Sequence, residues 1–151
     1  MEINFLEPVI EEADLQVAIK VLRSGWITRG KFSEEFEMAL ASYLGAQHVV
    51  VNSSGTAALH VALMAAGIGP GDEVITVSNT FKATVVEIIR AGATPVLIDI
   101  GEDYLMDTSK IVEAITPKTK AIIPVHLSGD VVDMAEVRNI AEAYDLFIIE
   151  D

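Results

Sequence analysis

The run Val49-Val50-Val51-Asn52-Ser53-Ser54-Gly55-Thr56-Ala57-Ala58-Leu59-His60 passes from β-branched residues through small polar ones into helix formers. Gly55 lets the backbone approach a ligand closely, and the free N–H groups at a helix start suit a phosphate. The hydroxyls of Ser54 and Thr56 add donors. The same residues also make an ordinary helix cap, which needs no ligand. A second segment, Thr80-Phe81-Lys82-Ala83-Thr84, offers an aromatic that could stack on a planar ring, worth about 0.5–1.5 kcal/mol beyond burial, or pack as core. Lys82 has the amine for a Schiff base, although a solvated surface lysine is the commoner use. A third, Leu146-Phe147-Ile148-Ile149-Glu150-Asp151, ends an apolar strand in two acids. A carboxylate buried there needs a cationic or hydrogen-bonding partner.

These positions share a sheet lip if the strands are parallel, and the C-terminal lip is where open α/β sheets bind ligands. A phosphate turn, an aromatic and a terminal acid together suit a molecule with a phosphate, a flat ring and a basic ring nitrogen. Pyridoxal 5'-phosphate has all three, and an acid opposite the pyridinium nitrogen is its usual electronic partner. His126, after Pro124 and Val125, has two uses open to it, orienting a substrate or bonding to backbone.

Other chemistries fit less well. There are no cysteines, which removes disulfides and thiolate catalysis, and His48, His60 and His126 lack metal-ligand spacing. Asp99, Glu102, Asp103 and Asp107 form an acidic turn without the calcium-loop pattern. Gly67-Ile68-Gly69-Pro70-Gly71 follows a helix and precedes a strand, the wrong order for a dinucleotide fingerprint, and reads as a turn. A formal net charge of −13 argues against a nucleic-acid partner. Met1 to Pro8 lacks the pattern of a secretory leader, and the longest apolar stretch, Ala57 to Ile68, is too short to span a bilayer. A soluble cytoplasmic protein is the expectation.

The elements that must position these residues alternate. Helical spacing covers Glu11–Leu22, through Leu15, Ala18, Ile19 and Leu22. A second helix is expected to open at Ser33 and bury Phe36, Leu40, Tyr43 and Leu44 before Gly45 stops it. Strands are expected at His48–Val51, Glu73–Val77, Pro95–Asp99, Ala121–Val125 and Phe147–Glu150. Helices at Thr56–Ala66, Lys82–Ala91, Ser109–Ala114 and Met134–Tyr144 separate them. Strands apolar on both faces and separated by helices indicate an α/β fold, a mostly parallel sheet with covering helices. With 51% hydrophobic residues, the chain can build such a core.

Taken in register, these segments resemble the DegT/StrS-type sugar aminotransferases, fold-type I pyridoxal-phosphate enzymes. The likeness includes Gly25-Trp26-Ile27-Thr28, Ser53 to His60, Gly67 to Val74, Thr80-Phe81, Gly92 to Val96, Ile115 to His126, and Ile149-Glu150-Asp151. It implies that Gly55, Thr56 and Ala57 hold the cofactor phosphate, that Phe81 stacks on the ring, and that Asp151 pairs with the pyridine nitrogen. It implies amino transfer, commonly from glutamate, to a keto-sugar nucleotide, by homodimers with the active site at the subunit interface. Lys82, Ser78-Asn79 and Leu127-Ser128-Gly129 depart from the family's usual residues, which bears on substrate choice.

The resemblance also implies that residues 1–151 are the N-terminal helices and first part of the large domain, with the rest of it and a small domain beyond. The lysine that bonds the cofactor lies beyond the equivalent of Asp151, so no catalytic residue is assigned within this chain. A seven-stranded sheet is implied, in which His48–Val51 and Phe147–Glu150 are separated by two later strands. Both strands would then leave an apolar edge open to association. The alternative is a catalytically silent binding or structural chain completed by another polypeptide. A nucleotide-sugar oxidoreductase lacks its dinucleotide fingerprint.

Overall fold

The structure, a computed structural model, describes residues 8–151; the leader reading of Met1 to Pro8 falls almost wholly outside them. The chain divides into two compact units, residues 1–51 and 52–151.

The first unit holds α1 (Glu12–Arg23) and α2 (Lys31–Leu44). Both apolar stripes form helices, but they are not buried as expected. No residue of α1 is buried, and Phe36, Tyr43 and Leu44 of α2 are 56%, 85% and 62% exposed. The buried residue of α2 is instead Glu37. Its carboxylate accepts the Val51 N–H at 3.0 Å and Arg29 Nη2 at 2.9 Å, which offsets the cost of burying it. Helix α2 also starts two residues before Ser33, with Gly30 as its cap. The Trp26 indole donates to the Arg29 carbonyl at 2.7 Å and lies over Gly30, where a Cβ would sit 2.4 Å from the ring. Only glycine fits beneath that ring without moving it.

His48–Val51, expected as the first strand, forms none. A strand exists only through a ladder partner, and here the Val51 amide is taken by Glu37.

The second unit runs α3 (Gly55–Ala65), β1 (Glu73–Val77), α4 (Lys82–Arg90), β2 (Thr94–Ile98), a 3₁₀ turn (Thr108–Lys110) leading into α5 (Ile111–Ala114), β3 (Thr119–Ile123), α6 (Met134–Tyr144) and β4 (Phe147–Ile148). All pairings are parallel, in the order β2-β1-β3-β4. The expected strand ends move by one or two residues. The last strand shrinks, although Ile149 N–H still donates to the Ile122 carbonyl at 3.0 Å. Pro95 is tolerated because β2 is an edge.

Pleating sorts the core into two layers. Val74, Ala121 and Ile123 face Leu63 of α3 and Ile88 of α4, with Ile149 packed beside them. Ile75, Val77 and Ile122 face the other way, toward Ile111 of α5 and Val137 of α6, with Ile148 beside them. The glycine turn behaves as the sequence suggests: Gly67 and Gly71 take positive φ, and the Gly69 N–H donates to Asp72 Oδ2 at 2.9 Å. The acidic loop is likewise structural, since Asp103 accepts the Leu105 N–H and Asp107 caps the 3₁₀ turn.

Glu37 gives the first unit a pH signature. The Val51 N–H, then Arg29, hold its carboxyl below the ordinary carboxylate range. A depressed folded pKa contributes stability that is complete above the unfolded value and lost as pH falls through the folded one. Protection of the Val51 amide relative to its intrinsic exchange rate should therefore hold at neutral pH and fall only below the ordinary glutamate range. Glu37→Gln should flatten that dependence, and an unaltered pH profile in this variant would count against the carboxylate as the anchor.

Candidate cofactor site

Helix α3 packs on the sheet and reaches β1 through residues 66–72, so it must run antiparallel to that strand. Eleven helical residues rise about 16 Å and five strand residues span about 16 Å, so the start of α3 reaches the level of the C-terminal end of β1. Phe81 follows β1 by four residues, and Asp151 follows β4 by three. All three lie at one lip of the sheet. Strand order reverses between β1 and β3, and such a switch point opens a crevice outside the strand ends.

At the start of α3, Ser54 Oγ accepts the Ala57 N–H at 3.2 Å. The Gly55 and Thr56 amides precede the first intrahelical bonds and point out of the helix. A Cβ built on Gly55 meets no atom within 4 Å, so the backbone there borders open space. The segment is a capped helix whose first two amides make no intrahelical bond, a donor arrangement of the kind that suits an anion.

Phe81 caps α4 through its extended backbone and is 69% exposed, so it is not a core residue. Lys82 is the first residue of α4 and also exposed.

The acids at the end of β4 part company because successive strand side chains point to opposite faces. Asp151 N–H donates to the Pro124 carbonyl at 3.0 Å, and His126 N–H donates to the Asp151 carbonyl at 2.8 Å. On the α3/α4 side, Thr84 Oγ1 donates to Asp151 Oδ2 at 2.6 Å. On the other side, His126 Nε2 lies 3.0 Å from Glu150 Oε2. His126 Nδ1 accepts the Val132 N–H at 3.3 Å, which leaves Nε2 as the protonated nitrogen facing Glu150. His126 thus bonds to backbone and orients Glu150. His126 is visible in the sequence, whereas the one sequence signal for Thr84 is its spacing of four from Thr80 at a helix start.

One further contact ties α3 to α4. Glu87, fully buried on α4, receives Arg90 Nη1 at 3.1 Å, and His60 Nδ1 of α3 lies 3.0 Å from its other oxygen. The His60 contact has ion-pair distance without hydrogen-bond alignment.

The family model of the DegT/DnrJ/EryC1/StrS aminotransferase family matches residues 8–151. The chain is 46% identical over 145 residues to the spore coat polysaccharide biosynthesis protein SpsC of Bacillus subtilis, covering 95% of this chain and 37% of that protein. It is similar to the crystal structure of NtdA from Bacillus subtilis with bound cofactor PMP, at 44% identity and a TM-score of 0.87, over 90% of this chain and 32% of that one. It is also similar to the PMP form of the sugar aminotransferase Spr1654 of Streptococcus pneumoniae, described as putative, at 38% identity and a TM-score of 0.93. That match covers 100% of this chain and 42% of the other. The chain thus spans well under half the length of these relatives.

Gly55 offers a direct test of whether the α3 start serves a ligand. Alanine suits a helix better than glycine by up to about 1 kcal/mol, and its Cβ meets nothing here. Gly55→Ala should leave the thermal midpoint unchanged or raise it by roughly 2–4 °C, while weakening protection by a phosphate-bearing ligand. A lower midpoint would assign Gly55 to the fold instead.

Proposed function

We propose, for a chain that belongs to the DegT/DnrJ/EryC1/StrS aminotransferase family, that it forms the cofactor-holding part of an enzyme moving an amino group from glutamate to a keto-sugar nucleotide. The observation that carries this reading is the Asp151 carboxylate, fixed at the sheet lip by backbone bonds at 3.0 and 2.8 Å and by Thr84 at 2.6 Å. The PMP carried by the NtdA and Spr1654 structures supports pyridoxal 5'-phosphate as the group held.

The residues fit it. The Gly55 and Thr56 amides, with the Ser54 hydroxyl, suit the phosphate, and the open space beside Gly55 admits it. Ala57, whose amide is occupied by Ser54, contributes a small side chain at the helix start. Exposed Phe81 presents a face for the ring. Asp151 accepts the ring N–H and keeps the proton on that nitrogen. Bound there, the cofactor supplies a conjugated, protonated ring that withdraws electrons from the bond to be broken. The chain's part is to bind, orient and hold that proton in place.

The covalent lysine implied by the resemblance stands beyond the equivalent of Asp151, so residues 1–151 alone are proposed to lack turnover. The working form is proposed to be a homodimer or higher oligomer.

In the intact enzyme, Asp151→Asn should lower amino transfer from glutamate to a keto-sugar nucleotide by about a hundredfold or more, the scale of losing a preorganised electrostatic partner. Cofactor binding through the phosphate should persist in that variant, detected by absorbance titration. Unchanged turnover would remove Asp151 from the mechanism, and turnover by the pure 151-residue chain would overturn the division of roles.

A further inference from the structure

We infer that Thr84 is a positioning residue for the cofactor ring, setting which oxygen of Asp151 accepts the hydrogen bond from the protonated ring nitrogen. This rests on the proposed role of Asp151 and adds to it a residue that carries no chemistry of its own.

The argument starts from proton counting. A threonine hydroxyl has one proton and can both donate and accept. Asp151 Oδ2 sits 2.6 Å from Thr84 Oγ1, and an ionised carboxylate only accepts, so Thr84 spends its proton there. Thr80 Oγ1 lies 2.8 Å from Thr84 Oγ1. With the Thr84 proton already committed, Thr80 must be the donor of that pair. The proton order is therefore fixed: Thr80 to Thr84 to Asp151 Oδ2.

Thr84 is itself anchored. It is 1% exposed in the first turn of α4, and its amide bonds the Phe81 carbonyl at 3.1 Å. Among the described residues, the hydrogen bond to the Asp151 carboxylate comes from Thr84. The Asp151 backbone is pinned by Pro124 and His126, but backbone bonds leave the side-chain torsion free. The Thr84 bond removes that freedom. It engages Oδ2, whereas Oδ1 takes no hydrogen bond from the described residues and keeps both lone-pair sites for a donor. The same turn begins one residue after Phe81, so the group proposed to cover the ring face and the group that orients the acid share one rigid element.

The test compares Thr84→Ala with Thr84→Ser in the intact enzyme. Both lose the methyl group and they differ by one hydroxyl, so the cavity left by the methyl is common to both. The probe is pyridoxamine 5'-phosphate labelled with ¹⁵N in the ring, read by titration for affinity and by ¹⁵N chemical shift against pH for ring protonation. Thr84→Ser should match the native protein within about twofold. Thr84→Ala should bind about tenfold to a hundredfold more weakly, the scale of a hydrogen bond to a charged group. Its ring nitrogen should also lose its proton at lower pH. Asp151→Asn is the control. If it alters the ring signal while Thr84→Ala and Thr84→Ser agree, the positioning role fails and the Asp151 reading stands. If Asp151→Asn leaves the ring signal native, the Asp151 reading itself fails.

Discussion

The ladder between residues 121–126 and 147–151 is the constraint on which the site depends. It is regular for only two residue pairs, yet three further bonds carry it to the lip: Ile149 to Ile122, Asp151 to Pro124, and His126 to Asp151. Those bonds set the pleat, and the pleat sends Glu150 and Asp151 to opposite sides. One residue of slip would exchange them, offering Asp151 to His126 and Glu150 to Thr84. Ile148 and Ile149 oppose such a slip, because each packs into a different core layer. Apolar burial thus fixes the register, and register fixes which acid faces the crevice.

The helices over that face meet at a buried polar contact as well as through packing. Glu87 is fully buried and touches both His60 of α3 and Arg90. A buried ion pair is a poor source of net stability, since desolvation consumes much of its Coulomb gain. The contact therefore acts as a specificity device. It disfavours arrangements of α3 and α4 that separate His60 from Glu87, and those two helices carry the Gly55 and Thr56 amides and Thr84. Thr76 plays a neutral counterpart in the sheet, its hydroxyl donating to the Ile123 carbonyl at 2.9 Å in full burial.

Much of this was legible in the sequence because it depends on local pattern. The central strands are apolar on both faces, and Glu73–Val77 appears with the expected bounds. Asp151 and Phe81 were legible through their place after such strands. What failed depends on partners. His48–Val51 has strand composition, but composition supplies no ladder, and Glu37 takes its amide. The α2 stripe has helical spacing, but spacing does not say what covers it, and an acid fourteen residues from Val51 is buried in its place. Thr84 is the sharpest case. Its contact with Asp151 spans 67 residues and exists only once α4 lies over β4's extension.

Net charge and local field point in opposite directions at this site, and distance decides between them. The chain carries 23 acids against 10 lysines and arginines, which repels an anion at long range. Exposed charges are largely screened beyond about 8–10 Å at physiological salt. A helix start presents about half a positive charge at its terminal amides, within contact distance of whatever lies against Gly55. At that range the dipole and the amide donors outweigh distant carboxylates, so a phosphate needs no cluster of lysines. The acid excess then favours small ligands that reach the helix start over extended polyanions that must also cover the surrounding surface. A ring cation beside Asp151 completes the local balance, since the proposed cofactor brings its negative end to α3 and its positive end to the acid.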